Sequence, residues 1–289
     1  MKKNPPSIPR KKKHARHQPL IGVIGQGWVG THLADDFERR GYRVTRYALP
    51  ARYRKNRDEI ANCDIVFIAV PTPTTPRGFD HSVVRDVLPL VGALKTAVIK
   101  STVLPGTTNA LADEFPDRFV LHVPEFLREI HAAYDTAHPS RTVIGIPMAT
   151  RAYHKCAAAV RAVLPKAPEV IITGAREAEF TKYAANCVHA SKVGFANVLY
   201  YAAWGAGLDW EAIHDGIVAD LRIGASHFSP LGKGGKRGAG GHCFIKDLAA
   251  FRAWYETLGL DGAGAAVLRS VEEKNRALLR DSGKDSDLL

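Results

Sequence analysis

One cysteine of the chain stands in a setting suited to covalent chemistry on a carbonyl group. Cys243 follows a glycine-rich run, in the segment GGHCFIKD, and Asp247 lies four residues later on the same face of a helix predicted to begin here. A helix N-terminus stabilises a thiolate and can lower the pKa of a cysteine, and the glycines would let a substrate reach the sulfur. Taken alone, the segment fits a nucleophile as well as it fits a small core residue beside a turn.

Lys182 and Asn186 form a second pair at helical spacing, in EAEFTKYAANCVHASK. A cation and an amide on one helix face can hold a developing oxyanion, and one such donor in an enclosed site contributes about 2.7–4 kcal/mol. The same pair could be a surface lysine and a packing or capping amide. Without other observations, that structural interpretation is the stronger one.

Three glycines predict a dinucleotide site. Gly25, Gly27 and Gly30 form GQGWVG between an apolar run, LIGVIG, and an amphipathic stretch. In a strand, turn and helix of this kind, the first glycine makes the turn, the second lets a pyrophosphate approach the backbone, and the third lets helix and strand pack. Free N–H groups at the helix start then bind phosphate.

The residue that would read the cofactor ribose is less clear. An acid is expected about twenty residues after the glycines, at the end of the second strand. That place holds Tyr47, Ala48 and Leu49, while Arg46, Arg52 and Arg54 lie close by. These arginines could hold the 2′-phosphate of NADP, or they could be solvated while NAD binds without an acidic contact.

The elements around these residues predict two domains after a basic tail. Short apolar runs alternate with helix-compatible segments up to about residue 174, which indicates an α/β fold with a Rossmann-like, doubly wound parallel sheet over residues 19–174. An all-α domain is predicted over residues 175–289, with a long central helix from about 175 to 206, roughly 45 Å in length. The helix has apolar residues on more than one face, which predicts a homodimer interface; they include Phe195, Val198, Leu199, Tyr200 and Trp204.

Composition excludes several classes of protein. The formal charge of +11 is concentrated in residues 1–18, which are predicted to be a disordered basic tail without the aromatic residues that stack on nucleic-acid bases. No apolar run is long enough to span a bilayer, and no secretory signal is evident. Four scattered cysteines show no spacing typical of a metal site, and reduced thiols fit a cytoplasmic protein.

Several motifs in one fixed order resemble the UDP-glucose/GDP-mannose dehydrogenase family. They cover roughly residues 20 to 275 and are STVLPGT, PEFLRE, PSRTVIG, EAEFTKYAAN, RIG and GGHCFIKD. The resemblance implies oxidation of a nucleotide-sugar primary alcohol to a carboxylate in two NAD-dependent steps. It also implies a third, nucleotide-binding domain in full-length members, and this chain is expected to be a short form that ends before it.

The resemblance assigns a role to each matching residue. Cys243 would attack the aldehyde left by the first hydride transfer, and the thiohemiacetal would become a thioester that water hydrolyses. Lys182 and Asn186 would stabilise the oxyanion, and Glu125 would serve as base or proton relay. Thr102 and Asp247 would order the water. The implied substrate contacts are Glu125, Phe126, Leu127, Glu129, Lys182, Gly241 and, across a dimer, Arg222; the implied cofactor contacts are Gly25, Gly27, Trp28, Val29, Gly30, Thr72 and Thr102.

Two alternatives stay open at this point. A two-electron β-hydroxyacid-type dehydrogenase would use a lysine and an asparagine on the same long helix and would need no cysteine. A non-catalytic cofactor-binding protein would have lost substrate recognition with the third domain. The basic insertion GKGGKR before Cys243 could take over some phosphate binding, or it could be a solvated loop.

Overall fold

The computed structural model describes residues 18–75 and 78–288. Nearly all of the predicted basic tail therefore lies outside the described residues. Among the residues described, no helix has the length and apolar character needed to cross a bilayer.

A seven-stranded sheet forms the first part of the structure, in the order β2-β1-β3-β6-β7-β8-β9. The two remaining strands pair as a separate hairpin, β4-β5. The apolar runs of the sequence, LIGVIG, YRVTRYAL, DIVFIAV, TAVIKST, FVLHV, RTVIGI and EVIIT, each overlap a strand of the large sheet, which confirms the α/β, Rossmann-like fold class. The strands are β1 (Ile21–Ile24), β2 (Val44–Tyr47), β3 (Ile65–Ile68), β4 (Thr74–Thr75), β5 (Gly78–Phe79), β6 (Thr96–Ile99), β7 (Phe119–His122), β8 (Arg141–Ile146) and β9 (Glu169–Gly174).

The register of the sheet brings the strand ends to one edge. Ile24 pairs with Ile68, Ile68 pairs with Ile99, and Ile99 pairs with His122, so the segments after four parallel strands leave side by side. In an open parallel sheet this edge is where ligands bind. The loops that follow β1, β3, β6 and β7 carry the predicted cofactor and substrate residues.

One pairing departs from the predicted parallel sheet. β8 runs antiparallel to β7, with His122 opposite Gly145. A parallel neighbour needs a crossover that returns the chain along the sheet. The intervening segment instead packs its helix α5 (Ala132–Ala137) against α1 (Trp28–Arg39), and the chain re-enters the sheet from the opposite end.

Helices cover both faces of the sheet because alternate strand residues point to opposite sides. Val23, Phe67 and Val98 lie in one core, with α1 and α6, and Ile24, Ile68 and Ile99 lie in the other, with α4. The other helices before the last strand are α2 (Ala51–Arg54), α3 (Ser82–Val87), α4 (Thr107–Glu114) and α6 (Arg151–Val163).

A long helix, α7 (Ala175–Gly205), begins directly after β9 and ends one residue before the predicted end. The later helices α9 and α10 pack against it around Tyr183, Leu248 and Phe251. These helices are α8 (Trp210–Val218), α9 (Gly241–Thr257) and α10 (Gly262–Asp281).

A buried carboxylate fastens α7 to the sheet domain. Glu179 is completely buried and accepts hydrogen bonds from the backbone N–H groups of Gly106, at 2.6 Å, and Thr108, at 2.7 Å. These N–H groups belong to the N-terminus of α4, where intrahelical acceptors are lacking. The contact fixes α7 relative to the loop that follows β6.

We predict that Glu179 makes the stability of the protein pH-dependent. Burial raises the pKa of Glu179 from 4.5 to about 7 despite its hydrogen bonds, so the folded protein holds a proton that the unfolded chain loses above pH 4.5. The free energy of unfolding should therefore fall as the pH rises from 4.5 to about 7. In Glu179→Gln this part of the slope should disappear, as measured by urea denaturation at a series of pH values.

The exposed neighbour Glu177 provides the control, because Glu177→Gln should leave the slope unchanged. An identical pH dependence in Glu179→Gln and the parent protein would contradict the assignment.

Candidate active site

The glycine turn between β1 and α1 has the geometry of a phosphate cradle. Gly25 has φ of +90°, and a Cβ there would lie 2.1 Å from the carbonyl oxygen of Ala69. A Cβ on Gly30 would lie 1.9 Å from the carbonyl oxygen of Gly25, whereas one on Gly27 would meet nothing within 4 Å. Gly27 is the N-cap of α1 and makes no side-chain cap. The three glycines thus turn the chain, pack the helix and leave open backbone before free N–H groups, which fits a pyrophosphate.

Arg46 is engaged within the protein at the ribose edge. Its guanidinium donates to Asp35 at 2.6 Å and to Glu38 at 2.7 Å. The nearby Arg54 donates to the carbonyl of Leu49. Because its charge is met by two carboxylates of α1, Arg46 is poorly suited to hold a 2′-phosphate, which favours NAD over NADP.

Cys243 lies in the first turn of α9, as predicted, and its side chain is exposed. The expectation of a lowered thiol pKa is wrong. Desolvation by packed neighbours raises the pKa of Cys243, and Asp247 and Glu129 act in the same direction. Lys182 and Lys246 act to lower the pKa, but their effect is the smaller one. Desolvation together with the two carboxylates, one of them four residues along α9 itself, outweighs the two lysines.

A buried network joins α7 to α9 beside this cysteine. Asp247 is completely buried and accepts a hydrogen bond of 2.6 Å from Asn186 Nδ2. Lys246 Nζ donates to the other oxygen of Asp247, also at 2.6 Å. Lys182, one turn before Asn186 on α7, is buried as well. The two predicted helical pairs therefore face each other, and one amide hydrogen of Asn186 stays available to a substrate.

Glu125 is held as a carboxylate after β7. Its Oε2 lies 3.0 Å from Lys100 Nζ, and its Oε1 accepts from the N–H groups of Phe126, at 2.9 Å, and Leu127, at 3.1 Å. Burial would raise the pKa of Glu125, but Lys100 and the N–H of Phe126 outweigh it and bring the pKa below its ordinary value. Glu125 is therefore ionised at neutral pH and able to accept a proton.

Sequence reasoning missed two lysines that organise these carboxylates. Lys100 is a buried cation at the end of an apolar strand, TAVIK, and Lys246 directly precedes Asp247. The position of Lys100 in an apolar run was a usable signal, because a buried lysine needs an anionic partner. Its partner, twenty-five residues away in Glu125, is set by the pairing of β6 with β7.

Other predicted residues lie on the surrounding loops. The Phe126 ring has the Arg141 guanidinium carbon 3.8 Å from its centroid and Lys182 Nζ at 5.7 Å. A Cβ built on Gly241 would lie 3.6 Å from a carboxylate oxygen of Glu129, so these residues face each other. The Thr72 hydroxyl donates to the carbonyl of Thr102 at 2.8 Å and thereby joins the loops after β3 and β6.

Arg222 and the basic insertion are not gathered with these groups. The side chain of Arg222 is 90% exposed and pairs with Asp220. Arg237 stacks on the rings of Tyr200 and Tyr201, and Lys236 donates to the carbonyl of Gly283. Lys236 and Arg237 therefore support the loop itself, and the idea that they bind a substrate phosphate gains no support from these contacts.

Comparison with known proteins gives two family matches. Residues 51–163 match the NAD binding domain of the UDP-glucose/GDP-mannose dehydrogenase family, and residues 176–277 match the central domain of that family. The first match confirms NAD as the cofactor.

Individual relatives agree with these matches. The UDP-glucose 6-dehydrogenase AglM of Haloferax volcanii is 32% identical over 81% of this chain and 64% of its own length. A UDP-glucose 6-dehydrogenase of Pseudomonas aeruginosa is 36% identical over 75% of this chain and 49% of its own length. The structure of a UDP-glucose dehydrogenase from Pyrobaculum islandicum is 30% identical, with a TM-score of 0.76 over 93% of this chain and 70% of that one. The chain thus spans about half to two thirds of the length of the sequence relatives.

We predict that Gly27→Val abolishes cofactor binding without unfolding the protein. Gly27 has an extended backbone and open space around its Cα, so valine is tolerated, but its side chain fills the place where the pyrophosphate approaches. Calorimetric titration with NAD should show affinity reduced by at least about tenfold. Gly30→Val is the contrast, because its side chain would collide with the carbonyl of Gly25 and should destabilise the fold. Unchanged NAD affinity in a folded Gly27→Val protein would exclude this cradle.

Proposed function

Because the chain belongs to the UDP-glucose/GDP-mannose dehydrogenase family, we propose that it oxidises the primary alcohol of a nucleotide sugar such as UDP-glucose to the carboxylate, through a covalent intermediate on Cys243. The observation that carries the proposal is the convergence of this exposed thiol with a buried lysine, Lys182, and with the bonded pair of Asn186 and Asp247. A nucleophile, an oxyanion cation and a carboxylate are the three parts that covalent aldehyde oxidation needs.

The cofactor supplies only hydride acceptance, once in each of two oxidations. After the first oxidation, the Cys243 sulfur bonds to the aldehyde carbon and its proton passes to the surrounding water. The carbonyl oxygen becomes the oxyanion, which receives hydrogen bonds from Lys182 Nζ and the free amide hydrogen of Asn186. Loss of the second hydride from that carbon leaves a thioester.

Hydrolysis of the thioester needs a water molecule and a base. Thr102, in the loop after β6, and Asp247, on α9, would order the water, while the ionised Glu125 accepts its proton directly or through Glu129. Addition of water to the carbonyl carbon and expulsion of the thiolate release the acid and restore Cys243. The balance is one water consumed and four electrons transferred for each sugar.

A two-electron reaction is the alternative, and it would stop at the aldehyde without using sulfur. The charges around Cys243 favour the four-electron reaction. Four ionisable side chains act on this thiol, and such a cluster is typical of a functional site rather than of a cysteine that only packs in a core.

We further propose a homodimer formed by α7. Its second half exposes Phe195 by 59%, Val198 by 44% and Trp204 by 73%. An apolar face of this kind is usually covered by a partner. Arg222, whose side chain is 90% exposed, would then reach the site of the second copy. The thiol chemistry fits a cytoplasmic location, where cysteines stay reduced.

We predict that Cys243→Ser loses acid formation. Purified protein is incubated with NAD and, in turn, UDP-glucose, UDP-N-acetylglucosamine, UDP-N-acetylmannosamine and GDP-mannose, and the reduced cofactor and the sugar product are both measured. The parent should form two reduced cofactors per acid, and Cys243→Ser should form acid at least about 100-fold more slowly, because no thioester can form. Cys156→Ser, at a half-buried position, should behave as the parent. Acid production by Cys243→Ser at the parental rate would rule out the covalent route.

We predict a solution mass of about twice 31.5 kDa by light scattering. Phe195→Glu places a charge on the exposed face of α7 and should give a monomer. Val267→Glu, at a position on α10 that is 62% exposed, should remain dimeric. A monomeric mass for the parent protein at micromolar concentration would contradict the dimer.

A further inference from the structure

The loop before Cys243 is fastened, nearly residue by residue, to the end of α10 and the segment after it. Ser282 Oγ accepts from the N–H of Arg237 at 3.0 Å, and Lys284 Nζ donates to the carbonyl of Gly238 at 2.8 Å. Between them, Asn275 bonds both backbone groups of Ala239, at 2.7 and 3.0 Å. A glycine-rich loop of this length would otherwise sample many conformations, and these bonds restrict it to one.

The last of these contacts reaches the helix that carries the nucleophile. Asp285 Oδ2 accepts a 2.7 Å hydrogen bond from the N–H of Gly241, the first residue of α9 and two residues before Cys243. A Cβ on Gly240 would lie only 2.1 Å from the same oxygen, so the carboxylate lies directly against the loop backbone. Asp285 itself has φ of +50°, in the left-handed region that is uncommon for non-glycine residues and that aspartate adopts more readily than most.

We propose that residues 282–285 form a clasp on the nucleophile loop, and that Asp285 is a positioning residue that sets both the place and the reactivity of the Cys243 sulfur. The proposal rests on the proposed function of Cys243 as the nucleophile. Its physical content is twofold. The carboxylate accepts a hydrogen bond from an N–H group at the start of α9, which fixes the first turn of that helix. Its negative charge also makes the Cys243 thiolate less stable than it would be at a helix N-terminus with no carboxylate beside it.

The clasp also limits what Gly241 can do. Its N–H is committed to Asp285, so Gly241 serves the loop by its left-handed backbone, with φ of +78°, rather than by donating to the substrate. A side chain at Gly240 would displace the carboxylate. The clasp therefore accounts for the two adjacent glycines, Gly240 and Gly241, that precede His242 and Cys243.

Four charged side chains act on the Cys243 thiol, and Asp285 acts at the N–H group of Gly241, two residues before it. Lys182 of α7 and Lys246 of α9 favour the thiolate, whereas Asp247 of α9 and Glu129 oppose it. Lys284 of the clasp donates to a carbonyl of the loop, Lys236 of the loop donates to a carbonyl of the clasp, and burial lowers the pKa of Lys284. The charge of Asp285 thus adds to a set of charges of both signs. Removing this one negative charge should change the reactivity of Cys243 measurably.

The test measures Cys243 alkylation by iodoacetamide in the full chain, by mass spectrometry over pH 6 to 10, and needs no substrate. Asp285→Asn keeps an oxygen that can accept from Gly241 and removes the charge, so the pH at half-maximal rate should fall by about half a unit or more. Asp285→Ala should show the same fall and, with a nucleotide sugar, a kcat at least about tenfold lower with little change in KM, because the first turn of α9 is released. Asp285→Asn should retain kcat within about threefold. The exposed Asp287 gives the matched control, and Asp287→Asn should leave the pH profile unchanged.

An unchanged alkylation midpoint in Asp285→Asn overturns the clasp even if the protein oxidises nucleotide sugars normally. A shifted midpoint in a protein that oxidises none of them supports the clasp and removes the proposed function. The outcomes that contradict the clasp therefore differ from those that contradict the proposed function. If Asp285→Ala folds poorly, the isosteric variant Asp285→Asn still provides the test.

Discussion

The candidate site depends on one buried carboxylate. Asp247 has no access to solvent, and a buried charge is tolerated only when it is paired and hydrogen-bonded. Asn186 from α7 and Lys246 from α9 meet that requirement. Because the partners stand on different helices, satisfying the carboxylate also fixes how α7 and α9 lie against each other, and hence where Cys243 stands relative to Lys182.

A second buried carboxylate extends the same constraint to the sheet. Glu179, on α7 one turn before Tyr183, is bonded to the start of α4, which follows the loop after β6. The helix that carries Lys182 and Asn186 is thereby held against the edge where the parallel strands end. That edge presents Glu125 and the glycine turn, so predicted cofactor and substrate residues from distant parts of the chain meet at one edge of the sheet.

The surroundings of Glu125 and Cys243 explain why the pKa values of these two groups differ from their ordinary values. Glu125 is kept ionised by Lys100, whereas the thiol of Cys243 is pushed toward its protonated form by desolvation and by neighbouring carboxylates. A resting thiol with limited thiolate character is compatible with a nucleophile that is needed only after an aldehyde has formed. Lys182 is placed to stabilise negative charge on the sulfur or on the oxyanion, and Asp285 adds a further restraint at the start of α9.

The sequence by itself determined the elements and the family. Apolar runs and glycine positions predicted every strand of the large sheet, the turn at Gly25, Gly27 and Gly30, and the long helix, because these signals are local and repeat with the period of the backbone. The order of the motifs likewise predicted the family that the comparisons confirm. The roles of the individual site residues, the domain boundaries and the dimer stay predictions.

Only the tertiary structure decided how charges and backbone groups pair across the chain. The reversal of β8, the partner of Lys100, the raised pKa of Cys243 and the bond from Gly241 to Asp285 all join residues far apart in sequence. Neither helix spacing nor composition reports such distances. The physical reason is that the energy of a charge or a buried N–H depends on what lies within a few ångströms of it, and that neighbourhood exists only after α7, α9, α10 and the sheet have packed together.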